Sequence, residues 1–591
     1  MLLGWLIVFS TAFAQTEVEG EVSGEWNAEG SPYIVVDSTW VPQGERLTLL
    51  EGVEVRFNED QGLHVFGDIN ATGTEDDSVL IRVSEGVEHW KSIHIFGRAL
   101  SEWEFTSIIC PENVFTLEQN TRMTLDHCLI NAREYSFYGT GRYGITNCIL
   151  TFRHSTIISG ESIITAGGRL TASNSFFDFS DTEREWPGID GEGTGFRITS
   201  CEFIGSVVLN NGGYSIIDSS RFLMTPDGRL AGAVAIGSSG RMTESYVEGD
   251  VAAYNSNGRI MPLHNNVILG ALNVGDCSVD ISGCRIDTKL RVTVNDGESI
   301  TIRNSIVRGV TILRDMTSVL IDSSYFIVNP DYNRIESYFS ARNIDQLNVT
   351  RSLFDLRLNI SEVEEAVFDH NTIIPNMYAD RIIEGINVSG IDWTNNIFIT
   401  LAPGGRLFGA NLPQIFEYNC VWGFDYAGGR RNDLIPLDSL SETNVIANPL
   451  IDWQGMVPSL AADSPCIDSG DPEAPQDPDQ TRSDIGARSF NHDMHAQRIE
   501  VDYPASTLIS DIYPNPFNGM VTIFFELNQP ELVNIDIFNS LGRWQTRLVS
   551  GYYGAGKHSV LWAGLELPSG NYLIRMIAGG EVNHKKITMI K

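Results

Sequence analysis

"LIDSSYFI", residues 320–327, sets an apolar pair ahead of the small polar run Asp322-Ser323-Ser324 and an apolar group behind it. The phrase returns as "ITNCIL" at 145, "RITSCEFI" at 197, "IIDSSRFL" at 216, "DISGCRI" at 280, "TIRNSIV" at 301, "VTRSLF" at 349, "FDHNTII" at 368 and "WTNNIFI" at 393. Anchored on the second small residue, the series runs 128, 148, 175, 201, 220, 245, 266, 284, 305, 324, 352, 371, 396 and 420, with intervals of 18 to 28 residues. A period near 22 built from short β-branched strands, without helical periodicity, predicts an all-β solenoid in which each coil's apolar face is buried only by its neighbours. The Leu-x-x-Leu-x-Leu frame of a leucine-rich repeat is absent.

The small residues sit where the chain bends. Asn tolerates the left-handed backbone conformation there, and Ser and Cys fit a narrow interior. Cys128, Cys148, Cys201, Cys284 and Cys420 occupy the ladder position itself, so buried free thiols are expected rather than a disulfide framework. Cys277 with Cys284 and Cys128 with Cys148 are the alternative pairings. No Cys-x-x-Cys or zinc spacing is present.

The rest of the composition narrows the function. The chain has 591 residues, 55 of them Gly, and a net charge of −36 from 76 acidic and 40 basic residues. Such a surface has little to neutralise phosphates with and argues against a nucleic-acid partner. From Ala505 onward 7 Lys/Arg face 6 Asp/Glu, so the acidic excess lies upstream and the tail is a chemically different piece. The N-terminal run "MLLGWLIVFSTAFAQ" ends in Ala12-Phe13-Ala14 and reads as a signal peptide, residues 1–14, cleaved between Ala14 and Gln15. It is too short to span a bilayer, and no later stretch is a transmembrane segment.

The repeats resemble the right-handed parallel β-helix of the pectin-lyase-like superfamily. Residues 23–83, with "VPQGERLTLLEGVEVRF" and the later "HWKSIHI", resemble the opening coils of exported bacterial members. Residues 448–487, with "SPCIDSGDP" and "DIGA", are similar to their closing segment. The resemblance implies a solenoid of about 18 coils over residues 15–490, capped at both ends against edge-to-edge association. It also implies polysaccharide as the substrate or ligand class, since enzymes on this fold cut glycans with Ca2+-bound carboxylates and a basic residue, or with clustered aspartates.

Candidate residues for such chemistry are few. Asp322 and Asp369 stand beside the ladder in a slot that Arg303, Thr146 or Thr394 fill elsewhere, so exposed polar residues at a bend is the favoured reading. The polygalacturonase, pectin-esterase and pectate-lyase phrases are absent, and no residue is singled out as catalytic. Asp468, Asp471, Glu473, Asp477, Asp479 and Asp484 crowd one Pro-rich loop and are weak Ca2+ candidates without EF-hand spacing. His492 and His495 read as part of a polar linker, 491–510. Trp186, Trp393, Trp422 and Trp453 are candidate sugar-stacking residues, with partial burial as the alternative.

Residues 520–591 alternate as "MVTIFFEL", "LVNIDIFN", "HSVLWAG", "GNYLIRMIAGG" and "HKKITMIK", which predicts a small β-sandwich. With "YPNPFNG" at 513 this tail, 511–591, resembles the type A C-terminal sorting domain of the type IX secretion system, a family related to an immunoglobulin-like domain. Tyr513, Pro514, Asn515, Pro516, Phe517 and Asn518 carry the opening motif. Phe538, Leu541 and Gly542 fall on its aromatic-x-x-Leu-Gly phrase, and Ser569, Gly570 and Tyr572 on Ser-Gly-x-Tyr. The resemblance implies the outer-membrane translocon of a Gram-negative-type bacterium as partner. The expected protein is therefore exported, extracellular or surface-held, and non-catalytic, serving adhesion or polysaccharide binding. A polysaccharide lyase or glycoside hydrolase acting on an acidic glycan is the alternative.

Overall fold

A computed structural model describes residues 15–490 apart from 140–143, 162, 181–187, 211–213, 225–233, 238, 255–259, 294–297, 329–336, 375–380, 385–389, 401–404, 409–411, 414, 431–432 and 453–458. It further describes 508–589 apart from 514, 516–519, 528–530, 541, 554–555, 564–568 and 579–580. The chain divides into two compact units, residues 1–490 and 491–591. Ala14, His492 and His495 lie outside the described residues, and no described helix is long and apolar enough to cross a membrane.

The first unit is a parallel β-solenoid. Each coil contributes short strands to three stacks, and each strand pairs in register with its counterpart one coil on. In the first stack Glu54–Phe57 leads to Val79–Val83, Thr106–Cys110, Leu129–Ala132 and Thr156–Ser159. The second passes through Leu63–Val65, Ile93–Ile95, Phe115–Leu117 and Phe137–Gly139. The third passes through Arg46–Leu50, Asp68–Thr72, Leu100–Glu104, Arg122–Asp126 and Ile149–Arg153. Alternation along each strand places one row inside. Phe177, Phe203 and Phe222 form such a row, their rings stacked at 4.6 and 5.1 Å. A coil alone cannot bury these rings, so its stability resides in the interfaces above and below.

At the corner between the third and first stacks the chain turns through a left-handed residue followed by a fully buried small one. The left-handed positions include Phe105 at 42°, then His127, His154, Asn174, Ser200, Ser219, Glu244, Asn265, Asn304, Ser323, Arg351, His370, Asn395 and Tyr418, with φ between 46° and 57°, and Gly283 at 63°. Where its counterpart one coil on is Ser or Asn, the buried residue that follows donates its N–H to that side-chain oxygen. Examples are Ser220 to Ser245 at 3.2 Å, Ser245 to Asn266 at 3.0 Å and Ser305 to Ser324 at 3.3 Å. From Asn371 onward the rungs are amides. Asn371, Asn396, Asn419 and Asn444 pass Nδ2–H to Oδ1 down the row at 3.0, 3.1 and 3.2 Å. Each amide also returns a bond to the main chain, as from Asn396 Nδ2 to the Phe368 carbonyl at 2.8 Å.

Two expected rungs are corrected. The N–H of Cys128 reaches Ser155 Oγ, and that of Ser155 reaches Ser175 Oγ, so Ser155 and not Cys148 is the rung in that coil. Cys148 belongs to a different bend, where Ile149 bonds the Thr121 carbonyl and Arg169 bonds that of Cys148. Both bends use a positive-φ residue followed by a small buried one, so the phrase marks a bend without saying which. Further along the row the rung is Asn419, and Cys420 lies one residue past it with its thiol bonded to the Ala447 carbonyl at 3.4 Å. All eight cysteines are free and buried, and neither alternative disulfide forms. Burial pushes the Cys128 and Cys277 thiols up to about 12 and those of Cys201 and Cys284 to about 11.

The ends differ in construction. At the N-terminal end Thr16–Glu21 pairs with Tyr33–Val41 and exposes Glu17, Glu19 and Glu21, charges that discourage a further strand from adding. At the other end Asp433–Pro436 pairs antiparallel with Phe424–Arg430, breaking the parallel register, and Leu437 and Leu440 pack on the core. The segment expected to cap this end, 448–487, instead runs along the side of the stack. Leu460, Cys466, Ile485 and Phe490 bury the outward residues Leu353, Ile374, Ile397 and Cys420 in a second apolar cluster. Hydrogen bonds from Asp471 N to Asn395 Oδ1 at 2.6 Å and from Ala487 N to Thr372 Oγ1 at 3.0 Å fasten it there.

The second unit has two antiparallel sheets. Leu508–Tyr513, Met520–Leu527 and Gly556–Ala563 form one; Trp544–Tyr553, Glu531–Asn539, Gly570–Ala578 and Glu581–Met589 form the other. Both contribute to one core containing Ile523, Phe525, Ile535, Ile537, Ile574 and Met576.

Two measurements check this architecture. Asn396→Ala removes the acceptor of the Asn371 N–H and leaves buried groups unpaired, at a cost of about 1–3 kcal/mol; hydrogen exchange at Asn371 and its neighbours in coil 368–374 is expected to accelerate while the first coils stay protected. A thiol reagent is expected to label none of the eight cysteines in the native chain and all eight after denaturation.

Candidate binding surface

The second stack turns one row of side chains outward near the N-terminal end. Register places Trp40 beside His64, His64 beside His94, His94 beside Thr116 and Thr116 beside Tyr138, one residue per coil at about 4.8 Å spacing. Their inward neighbours, Val65, Ile95, Phe115 and Phe137, are fully buried, so alternation fixes the outward set. Two residues past each His, at the adjoining corner, Phe66 and Phe96 stack with ring centroids 4.3 Å apart. Phe96 also stacks on His94 at 3.8 Å. Trp40 is 37 % exposed, Phe66 45 % and Tyr138 43 %.

Electrostatics keep this strip neutral. Burial, with a smaller contribution from Lys91, lowers the His64 pKa. Burial also lowers that of His94 and outweighs Glu118, whose carboxylate lies 3.4 Å from Nε2. Burial thus favours the uncharged form of both imidazoles, which present flat faces beside two phenyl rings. Ser92 and Thr116, hydroxyl to hydroxyl at 2.7 Å, and Glu118 supply polar groups at its margin. A row of flat, partly apolar faces with polar neighbours suits a ligand that is itself flat-faced and hydroxylated.

The residues expected from the sequence lie elsewhere. Trp393 is 1 % exposed and stacks on Phe368 at 4.2 Å inside the core, which removes it as a sugar platform. Trp422 is 36 % exposed at the far end of the first stack, while Trp186 and Trp453 lie outside the described residues. Asp322 accepts from Thr350 at 2.9 Å and from Arg351 Nη2 at 2.7 Å. Asp369 accepts from Thr394 at 2.9 Å, from Asn395 at 2.8 Å and pairs with His370 at 2.8 Å. Asp218 with Thr243 at 2.7 Å repeats the pattern. These carboxylates tie one coil's corner to the next.

The acidic loop spends its carboxylates on the main chain. Asp484 accepts from the N–H groups of Asp468 at 2.7 Å and Phe490 at 2.5 Å, and Asp477 accepts from Asp484 N–H at 2.8 Å. Asp471 accepts from Glu473 N–H at 2.9 Å, and Asp479 from the Thr481 hydroxyl at 2.8 Å. Burial raises the carboxyls of Asp477 and Asp484, the latter to about 6. Asp468, Asp471, Asp477, Asp479 and Asp484 do not place three carboxylates within 4.8 Å of one another.

In the tail, the motif residue Asn515 fastens the last strand: Oδ1 accepts Thr588 N–H at 3.0 Å and Nδ2 donates to the Lys586 carbonyl at 3.3 Å. Tyr513 ends the first strand, while Pro514, Pro516, Phe517, Asn518 and Leu541 lie outside the described residues. Gly542 takes φ +73° in the turn where its N–H bonds Asn539, a conformation that favours Gly. Gly570 opens its strand, and Tyr572 is buried edge-on to Trp562 at 6.0 Å. Asp536 is fully buried, accepting from Arg547 Nε at 2.8 Å, Arg575 Nη2 at 2.9 Å and Trp544 Nε1 at 3.2 Å. The Arg547 bond is the leading reason its carboxyl is held down to about 2.

Residues 511–591 match the secretion system C-terminal sorting domain family. Among curated proteins, no match was found for the chain. The tail therefore marks the protein for type IX export to the cell surface or the extracellular space, with the secretion machinery as its partner.

Asp536 sets a pH expectation for this unit. Its folded pKa lies below the unfolded value near 3.8, so its contribution is full above that value and is lost as pH falls toward 2. The displacement corresponds to about 2–3 kcal/mol at neutral pH. In Asp536→Asn the tail's unfolding midpoint is expected to fall at pH 7, and the gap to wild type to narrow on acidification toward pH 2, followed by the near-UV signal of Trp544 and Trp562.

Proposed function

We propose that this is an exported, non-catalytic surface protein whose solenoid binds polysaccharide along the strip of Trp40, His64, Phe66, His94, Phe96 and Tyr138. The observation that carries the reading is the in-register, partly exposed aromatic and imidazole row on neighbouring coils. A glycan chain repeats its faces along its length, and a parallel stack repeats its side chains along its axis. Successive sugar rings would lie on successive faces, each contact weak and the row additive. The acidic surface favours neutral or cation-bridged glycans over strongly anionic ones.

In this reading a leader ending at Ala14 is removed, residues 15–490 are the functional passenger, 491–510 a linker, and 511–591 an immunoglobulin-like sorting sandwich. The opening motif Tyr513 to Asn518 with Leu541, Gly542 and Gly570 would be read by the translocon, with Tyr572 holding the fold beneath them. Ca2+ at Asp468, Asp471, Asp477, Asp479 and Asp484 is a secondary element of the proposal, testable by chelation and melting. The engagement of those carboxylates by main-chain N–H groups favours a purely structural loop.

Retention of the whole chain on immobilised pectin, alginate, glycosaminoglycan and neutral glycans, with cleavage assayed in parallel and Ca2+ present or absent, tests the reading. Trp40→Ala, Phe66→Ala and Tyr138→Ala are each expected to weaken retention by about 0.5–1.5 kcal/mol, roughly two- to tenfold, with unchanged melting. Tyr254→Ala, on a distant coil, is expected to leave it unchanged. Turnover of any glycan favours the lyase or hydrolase alternative, and retention indifferent to all three strip variants overturns the proposed surface.

A further inference from the structure

A second cluster lies on the corner between the third and first stacks. Asp126, the last residue of Arg122–Asp126, directs Oδ1 toward two histidines from neighbouring coils: His127 Nδ1 at 2.9 Å and His154 Nδ1 at 3.2 Å. Among the described residues these three form the one group of His, Cys, Asp or Glu side chains whose ligand atoms all lie within 4.8 Å of one another. We propose that Asp126, His127 and His154 bind a first-row divalent transition-metal ion of the Zn2+, Cu2+ or Ni2+ class.

The separations suit such an ion. With metal–nitrogen and metal–oxygen bonds of about 2.0–2.2 Å, neighbouring ligands of a tetrahedral site stand about 3.3–3.6 Å apart. The two Asp–His contacts need shifts of only tenths of an ångström to reach that spacing, and the two imidazoles, stacked at 4.5 Å, must turn toward each other for both Nδ1 lone pairs to meet on one ion. Two imidazole nitrogens with one carboxylate select this class over Ca2+ or Mg2+, which take oxygen donors.

The ligands are also held before any ion arrives. His127 and His154 occupy left-handed positions, φ 53° and 47°, that recur once per coil, so the backbone brings both side chains to the same edge of the stack. Their rings stack at 4.5 Å with an 18° tilt, and Phe105 covers the other face of His127 at 4.5 Å and 13°. His127 is thereby clamped between two rings. Arg153 Nη1 stands 3.8 Å from Asp126 Oδ2, which leaves Oδ1 as the carboxylate's ligand atom.

Metal binding through Nδ1 requires the ring proton on Nε2, and a partner for that proton is in place. Asn174 Nδ2 lies 3.3 Å from His154 Nε2, and a 180° flip of that amide puts Oδ1 there to accept the Nε2 proton. Both histidines are exposed, so the remaining coordination positions open to solvent and to an external ligand.

Isothermal titration of the metal-stripped full chain with Zn2+, in a non-coordinating buffer, tests the site, with Cu2+ electron paramagnetic resonance reporting nitrogen ligation. Wild type is expected to show a micromolar or tighter site and two coupled nitrogens. His127→Asn and His154→Asn keep a residue that tolerates the left-handed conformation, so fold and melting are preserved; each is expected to weaken the site about tenfold or more and remove one nitrogen coupling. Asp126→Asn is expected to weaken Zn2+ with both nitrogens retained. Binding no tighter than millimolar, or unchanged in both histidine variants, overturns the proposal.

Discussion

The fold depends on a hydrogen bond between a buried main-chain N–H at one corner and a side-chain oxygen one coil further on. At that corner the backbone turns through a left-handed residue, and the N–H that follows points along the axis with no strand to pair with. An unpaired N–H in so apolar an interior costs roughly 1–3 kcal/mol, and the cost would recur in every coil. Ser and Asn at the next rung meet it, and Asn adds a side-chain bond down the row and another to the main chain. That Cys substitutes at some rungs shows the position is limited by volume first and by hydrogen bonding second: Cys201 N–H still donates to Ser220 even though its own thiol is a poor acceptor.

This constraint explains what could be read beforehand. The phrase around Ser324 announces a small buried residue between two apolar strands, enough to reveal a solenoid and most of its rungs. It does not distinguish one bend from another, so the phrase points to Cys148 where Ser155 is the rung, and to Cys420 where the amide of Asn419 stands in the row. The segment 448–487 is recognisable as the solenoid's closing piece, yet its path along the flank depends on outward apolar residues such as Ile374 and Ile397, whose exposure in the bare coil no local pattern reveals.

The surface features were less legible for a related reason. Trp40, His64, His94 and Tyr138 lie 22 to 30 residues from their row neighbours; the repeated "LHVFG" at 63 and "IHIFG" at 93 links the two histidines and their Phe partners, while Trp40 and Tyr138 join the row through register alone. His127 and His154 were hidden similarly, each appearing as one variable residue beside a rung. Trp393 misled in the opposite direction, because an aromatic residue in a strand is as readily inside as outside until alternation is anchored. Parallel stacking turns distant, unremarkable residues into contiguous rows, and chemistry on this fold is written along those rows.

The flanking segment 448–490 gives the solenoid a direction. It spans the coils from Leu353 to Cys420, so those coils are joined to one another twice, through their own interfaces and through a shared external brace. The coils near Thr16 have only their neighbours. In a nearest-neighbour array such asymmetry sets the order of events. Thermal fraying or a pulling force should strip coils from the Thr16 end and stall at the braced coils from Leu353 to Cys420.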